Sequence, residues 1–409
     1  MKILFVHQNF PGQYLHLARH FGSMPGNEVV FITQRSEVAL AGVRKVLYSP
    51  RRQPTPTVHH YLRETEAGVL NAQAVARCAL ELRESGFVPD LMLGHNGWGE
   101  IWYLKDVFAR TPLLGYFEFF YRVRGADVGF DPINAVTFDS GPRVRSKNLG
   151  NLFGLDACDL GQCPTHWQKS RYPERFHSML EVIHDGIDTT VAKPDRKARL
   201  RLPDSEVELA AGDEILTYVA RNLEPYRGFP SFMHSLPLIL EARPEARVLI
   251  VGGDEVSYGA KPAEGRTYRE QMLSEVGAAL DLKRVHFLGR VPYPTFIKVL
   301  QVSRVHVYLT YPFVLSWSLL EAMAAGCCVI ASRTAPVEEV IREGENGVFV
   351  DFFKPEEIAA RVIDALAAPG DYSGMRASAR QTIVDAYDLK TIALPAQLTL
   401  LEKSRAMRL

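Results

Sequence analysis

The sequence predicts an α/β protein built from two doubly wound domains in tandem, and three observations predict it. Short apolar runs alternate with amphipathic stretches of helical period, the pattern of parallel strands covered by helices on both faces. That rhythm lapses once, over residues 191–212, and then restarts. The 409 residues, 47% of them hydrophobic, suffice for two full cores.

Taken in order, Lys2–Val6 is an apolar run closed by His7-Gln8-Asn9 and Pro11-Gly12, and residues 14–21 are amphipathic. This is a strand, a tight loop and a helix. Residues 29–33 read as a second buried strand, 67–85 as a helix, and 90–93 and 113–117 as further strands. Lys193, Pro194, Asp195, Arg196 and Lys197, then Pro203 and Asp204, mark an interdomain linker at 191–212. Beyond it, strands are predicted at 215–219, 247–251, 285–288, 305–309 and 328–331, with helices at 231–241, 293–302 and 319–325. The domains are therefore 1–190 and 213–385, followed by a C-terminal segment at 386–409. Ligands of such sheets bind at the carboxyl ends of the strands, so two facing domains would make a cleft lined by loops from both.

Composition excludes several classes. The 47 Lys and Arg balance 47 Asp and Glu, with 20 basic against 19 acidic residues up to Thr190 and 27 against 28 beyond it. Neither half carries the basic patch that neutralises nucleic-acid phosphates, so no nucleic-acid partner is expected. The longest apolar run, 322–331, is ten residues, well short of the ~20 that span a bilayer. The N-terminal run is too short for a signal-peptide core, and a cytoplasmic location is expected. Five cysteines without a Cys-x-x-Cys pair indicate neither a disulfide framework nor a zinc site.

Three segments carry candidate chemistry. Gly12, in Phe10-Pro11-Gly12-Gln13, precedes a helix whose free N–H groups suit an anion, although a glycine there also fits a simple turn. Arg221 and Arg227, six apart across the Pro225 turn, can converge on one anion; guanidinium forks chelate phosphate oxygens, so a diphosphate is a natural guest. Two solvated loop arginines are the alternative. In the run from Tyr311 to Ser332, Ser316 and Ser318 lead into an apolar helix holding one acid, Glu321. A buried Glu needs donors, which ribose hydroxyls would supply, as would a core partner or solvent.

Residues 221–229, Phe287-Leu-Gly-Arg-Val291, Leu319-Leu-Glu-Ala-Met-Ala-Ala-Gly326 and Glu339 through Asn346-Gly347 resemble, in this order, the C-terminal domain of retaining family 4 glycosyltransferases. More loosely, Phe10-Pro11-Gly12 resembles the family's glycine loop, residues 89–95 its "PDxxHxH" strand and residues 183–188 its "IPNGVD" segment. The resemblance implies the GT-B architecture, two Rossmann-like domains facing across a cleft, with the acceptor mainly in the first and a nucleotide-sugar in the second. It also implies a C-terminal helix that packs back on the first domain.

Matched position by position, the resemblance assigns Arg221 and Arg227 to the donor diphosphate, Glu321 to the ribose, and the backbone at Arg290 and Val291 to the base. Amides at Ser316, Trp317 and Ser318 would touch the diphosphate or sugar. His95 matches the second His of the "HxH" end, where it could hydrogen-bond the sugar or accept a proton; a structural His is the alternative. Glu100, Glu118 and the run 117–124 stand where they would shape an acceptor pocket. One position departs: Phe313 stands eight residues before Glu321, where the family has a Glu that contacts donor hydroxyls, and Phe cannot accept a hydrogen bond. An altered donor choice is therefore expected.

The implied activity is retaining, metal-independent glycosyl transfer from a nucleotide-diphosphate sugar to a hydroxyl-bearing acceptor, glycan or lipid-linked, as in polysaccharide biosynthesis. It needs no cofactor beyond the donor substrate and allows peripheral membrane association. A catalytically silent sugar-nucleotide binder and another GT-B enzyme, such as a nucleotide-sugar epimerase, are the rival readings.

Overall fold

The computed structural model describes residues 1–202, 206–262 and 265–407. The chain forms two compact units, Met1–Asp185 with Lys390–Leu409, and Gly186–Leu389.

The first unit is a seven-stranded sheet of β1 (Lys2–Val6), β2 (Glu28–Thr33), β3 (Val43–Leu47), β4 (Leu91–His95), β5 (Leu113–Tyr116), β6 (Leu160–Cys163) and β7 (Leu180–Val182). Their spatial order is β3-β2-β1-β4-β5-β6-β7, and every pairing is parallel. Both faces are covered, which is why β1 is a continuous apolar run rather than an alternating one. Leu4 and Val6 pack with Ala72, Val75 and Ala79 of the helix Arg63–Glu84. Ile3 and Phe5 pack on the other face with Tyr14, Leu17 and, from the C-terminal helix Leu394–Ala406, Leu400 and Leu401. Full burial of a side chain such as Phe5 contributes about 1.5–3 kcal/mol.

The interval predicted as a linker is structured. Between Gly186 and the second sheet, β8 (Arg199–Arg201) and β9 (Glu208–Ala210) form an antiparallel hairpin. Leu200, Leu202 and Leu209 turn inward onto Ile215, Leu249, Val299 and Val302 of the second unit, while Arg199, Arg201 and Glu208 face solvent. The outward charges, read without their period-two partners, look like a linker; the inward leucines make the segment part of the second core. The unit boundary falls instead between Asp185 and Gly186. Pro203 and Asp204 lie outside the described residues.

The second sheet contains β10 (Ile215–Asn222), β11 (Arg247–Gly253), β12 (Val285–Gly289), β13 (Val305–Tyr308), β14 (Cys328–Ser332) and β15 (Val348–Val350). Their order is β12-β11-β10-β13-β14-β15, again all parallel. Both sheets thus reverse their winding once, between β1 and β4 and between β10 and β13, and such switch points open the crevices in which doubly wound sheets bind ligands.

Candidate functional site

Each switch point holds a buried polar centre. In the first unit it is assembled from the ends of β1, β4 and β5. His7 comes directly after β1 and is buried; its Nδ1 accepts the Asn9 amide at 2.9 Å, so its Nε2 carries the proton and donates to Gln13 Oε1 at 2.7 Å. Gly12 lies over this ring with φ +52°, and a Cβ there would meet His7 Nε2 at 2.8 Å. The glycine is therefore required both by its backbone and by the imidazole beneath it.

His95 ends β4, with its ring centroid 4.9 Å from that of His7 and 5.1 Å from that of Tyr116. Its Nδ1 accepts the Gly97 amide at 2.9 Å. The Nε2–H, fully buried, has no hydrogen-bond partner and lies 3.8 Å from Glu118 Oε2. Burial, reinforced by His7, holds its pKa well below the usual imidazole range, so the ring is neutral near pH 7. This narrows the expected role. With Nδ1 occupied by an amide, Nε2 offers a hydrogen-bond donor rather than a site to accept a proton.

Glu118 Oε1 faces Gln13 Nε2 at 3.5 Å, which closes a chain from His7 through Gln13 to Glu118. Glu100 is fully buried below the loop and accepts the Gln8 amide at 3.0 Å and the Tyr48 hydroxyl at 2.9 Å; desolvation pushes its pKa up to about 7. It braces the loop after β1 from within the core.

The second centre surrounds Arg227. This residue ends the turn Pro225–Arg227, and Gly228, at φ +69°, caps it; a Cβ on Gly228 would meet Leu309 Cβ at 2.4 Å. The turn drives the guanidinium inward, leaving Arg227 only 7% exposed. Its Nη1 donates to Thr310 Oγ1 at 2.7 Å and to the Val314 carbonyl at 2.9 Å, with Tyr308 Oη at 3.3 Å. The Tyr258 ring stands 5.4 Å away. Every one of these groups is neutral, and among the described residues no carboxylate pairs with Arg227.

Glu224, wholly buried, would be the obvious counter-ion but is committed elsewhere: it accepts the amides of Ser257, Tyr258 and Gly259 at 3.1, 3.0 and 3.2 Å. It thereby holds the loop that carries Tyr258.

The two arginines expected to converge are not equivalent. Arg221 lies on the outward side near the end of β10, exposed and without a side-chain partner among the described residues, whereas Arg227 is buried. The turn at Pro225 and Gly228 reverses the chain between them, so their spacing of six does not bring them to a common protein group.

Phe313 is packed into an aromatic group, 5.0 Å from Tyr258 and 5.7 Å from Tyr226, with Tyr226 stacked on Tyr311 at 4.6 Å. It forms an apolar wall beside the Arg227 centre. Ser316 caps the helix Trp317–Ala324 and accepts the Ser318 amide at 3.3 Å, and its own amide donates to Tyr308 Oη at 2.9 Å. The Ser316 and Ser318 amides expected to meet a ligand are thus already engaged. Trp317, at the first helical position, is exposed.

Glu321 is buried and accepts the Tyr293 hydroxyl at 2.9 Å; burial pushes its pKa up to about 7, and the Tyr293 bond opposes that. Arg290 pairs with Glu255 and donates to Asn222 Oδ1 at 2.9 Å, and Asn222 in turn donates to Ser257 Oγ at 2.7 Å. Val291 is partly buried against the hairpin cluster. Arg227, Phe313, Ser316 and Ser318 therefore share one neighbourhood through Tyr258 and Tyr308, and Gly12 and His95 share another through His7.

Sequence reasoning passed over His7 and Gln13 as site members, and over Glu224 and Tyr258. A polar residue directly after a buried strand, as His7 is, was the available signal. For Tyr258 there was none, because only the folded loop brings it over Arg227.

Two Rossmann-like parallel sheets, each with a buried polar centre at its switch point, define the GT-B fold class. Two family models match the chain: Glycosyl transferase family 4 group over residues 25–192 and Glycosyl transferases group 1 over residues 203–382. The chain belongs to the family 4, group 1 glycosyltransferases.

Among relatives, D-inositol 3-phosphate glycosyltransferase of Rhodococcus jostii strain RHA1 is 26% identical over 203 residues, covering 49% of this chain and 42% of that protein. The GDP-mannose-dependent alpha-(1-6)-phosphatidylinositol monomannoside mannosyltransferase of Mycolicibacterium smegmatis is 25% identical over 256 residues, covering 61% and 62%. The chain thus spans less than two thirds of either relative's length. The solved sucrose-phosphate synthase of Thermosynechococcus elongatus shares the fold with a TM-score of 0.71 at 16% identity, covering 99% of this chain and all of that one.

Proposed function

We propose that this protein transfers a glycosyl group from a nucleotide-diphosphate sugar to a hydroxyl-bearing acceptor, with retention at the anomeric carbon. One observation carries the reading: the Arg227 guanidinium is buried at the β10/β13 switch point with only neutral oxygens around it. A buried charge is stable only when compensated, and a diphosphate entering that crevice supplies the missing negative charge in a form that a guanidinium matches. As the bond from the sugar to the diphosphate breaks, Arg227, with exposed Arg221 reaching in from solvent, takes up the developing charge, so electrostatic stabilisation of the leaving group provides most of the catalysis. The acceptor hydroxyl attacks from the face the diphosphate leaves and passes its proton to an oxygen of the departing diphosphate, which gives retention. Glu321 holds the ribose, and the His95 Nε2–H donates to a sugar oxygen.

On this reading the arginines do the work of a divalent ion, and no metal or other cofactor is required. The two curated relatives act, by name, on an inositol phosphate and on a phosphatidylinositol mannoside, which favours a polyol, glycan or lipid-linked acceptor here. We assign the reaction to the cytoplasmic side of the membrane, in polysaccharide assembly.

Phe313 favours one second reading, a protein that binds nucleotide-sugar without turning it over. Assaying donor hydrolysis and transfer with purified protein separates the two, alongside a thermal-shift panel of nucleoside diphosphates and their sugars. A cognate nucleotide at about 100 times its Kd stabilises the fold by about 2.7 kcal/mol, and turnover should vanish in Arg227→Ala and Glu321→Ala. A thermal shift without turnover selects the silent binder. Turnover unchanged in both variants refutes the assignment.

A further inference from the structure

Glu224 stands between two parts of the Arg227 centre and holds both. Its main-chain carbonyl accepts the Arg227 amide at 3.2 Å, closing the turn that drives the guanidinium inward. The side chain goes the other way. Although Glu224 immediately precedes the turn Pro225–Arg227, it makes no side-chain cap there. Its carboxylate reaches instead to three consecutive amides, Oε1 to Ser257 and Oε2 to Tyr258 and Gly259. Successive N–H groups that converge on one point form a nest for an anion, and here the anion belongs to the protein. Glu224 is wholly buried and forms no ion pair among the described residues, so these bonds are what make its burial tolerable.

The loop after β11 has two further tethers, and their strength differs. Ser257 Oγ accepts from Asn222 at 2.7 Å, and Glu255 pairs with Arg290. The Glu255–Arg290 pair is exposed on both sides, and such pairs contribute little. A buried carboxylate shared by three amides holds the loop far more firmly. The side chain fixed by that hold is Tyr258. Its ring lies 5.4 Å from the Arg227 guanidinium, 5.0 Å from Phe313 and 6.0 Å from Tyr226. An aromatic face beside a desolvated guanidinium attracts the cation and restricts where it can move.

We infer that Glu224 is a positioning residue of the donor site: through the amides of 257–259 it seats Tyr258 against Arg227 before any nucleotide arrives, so that the guanidinium meets the diphosphate already oriented. The inference rests on donor binding at Arg227, the reading given above, and adds to it a residue that acts on the donor only through Tyr258 and Arg227. Such preorganisation is read as affinity, because the site needs no ordering when the ligand enters.

Glu224→Gln tests this, because it keeps the shape of the side chain but turns one acceptor oxygen into a donor that faces an amide donor. Titrating the full wild-type protein with UDP, GDP, ADP, CDP and dTDP finds the nucleotide that binds. For that nucleotide Kd should rise about tenfold in Glu224→Gln and about tenfold in Tyr258→Ala, and no further in the double variant, since both act through one ring. Hydrogen exchange reads the clamp without ligand: the amides of 257–259 should exchange at least about tenfold faster in Glu224→Gln, while the strands of the first unit keep the wild-type rate. Ser257→Ala cuts the Asn222 tether from an exposed position and should raise Kd about threefold, so that it and Tyr258→Ala decide the matter if Glu224→Gln does not fold. Glu255→Ala should leave Kd within about twofold of wild type. The inference is overturned if Glu224→Gln folds and binds as wild type does, if its loss multiplies with that of Tyr258→Ala in the double variant, or if exchange at 257–259 is unchanged. It is equally overturned if Tyr258→Ala or Ser257→Ala leaves Kd unaltered. Should the wild type bind none of these nucleotides, the transfer reading falls and takes the inference with it, whereas wild-type binding combined with any of the preceding outcomes removes the inference alone.

Discussion

His95 and Arg227 flank the switch points of their respective sheets from opposite sides, His95 from β4 and Arg227 from β10, and present opposite chemistry. Each is buried beside a switch point: His95 is the last residue of β4 and leaves its Nε2–H without a partner, and Arg227 stands in the turn after β10 with no carboxylate paired to it among the described residues. Yet His95 is a neutral ring offering a single N–H, while Arg227 is a full charge surrounded by neutral dipoles. One fold, used twice, thus provides a centre that can orient a hydroxyl and a centre that can bind an anion. The difference lies in the turn after each strand: β4 leads into a turn whose amide the histidine caps, and β10 leads into a turn that points an arginine inward.

The comparison breaks first at Arg227. Arg227→Met keeps most of the side-chain length but removes the charge, so the thermal shift with the cognate nucleotide should disappear and turnover should fall by about 10²–10³. Without nucleotide, stability should move by less than about 1 kcal/mol, because loss of an uncompensated buried charge offsets loss of its hydrogen bonds. A large fall in ligand-free stability would show that Arg227 is a structural cation.

Glu321 gives the next effect, read through pH. Its folded pKa, about 7, lies above its unfolded value, so the folded state binds more protons between roughly pH 4.5 and 7. Stability from this group is therefore fully present at low pH and is lost as pH rises through that window. Glu321→Gln removes this dependence. The stability of the wild type relative to the variant should drop from pH 5 to pH 8 by at most about 3 kcal/mol, and a constant difference would show that Glu321 is ionised throughout. Buried histidines such as His184, whose pKa is lowered to about 4, contribute the opposite slope to both proteins and cancel in the difference.

His95 gives the smallest effect. In His95→Asn the side-chain oxygen can still cap the Gly97 amide while the Nε2–H is gone, so stability should stay within about 1 kcal/mol and turnover should fall about 10–100-fold. Because the wild-type ring is already neutral, the turnover lost should be the same at pH 6 and pH 8. A loss confined to one side of that range would return His95 to an acid–base role.

Much of this architecture was legible in the sequence because a strand buried on both faces is encoded as an unbroken apolar run; β1, β2 and β14 all fall on such runs. The hairpin of β8 and β9 was not, since three-residue strands with charges on the outer face give too short a period to detect. At the candidate site, residue type was legible and environment was not. Arg221 and Arg227 have the same chemistry as residues, and only the turn at Gly228 makes one of them buried. Phe313 stood out as a departure, but its aromatic neighbours Tyr226 and Tyr258 come from segments about 87 and 55 residues away, and no local pattern encodes their meeting.

The return of the chain's last helix to the first sheet has a consequence for how such a protein diversifies. Because Leu400 and Leu401 complete the face that Ile3 and Phe5 begin, the first unit is discontinuous in the gene. A single recombination joint near residue 185 would pair a new sheet with an old C-terminal helix, and the mismatch would be felt in the core rather than at the surface. Exchange of this unit between relatives therefore requires two joints, near 185 and near 390, whereas the second unit is a contiguous insert that can be replaced whole.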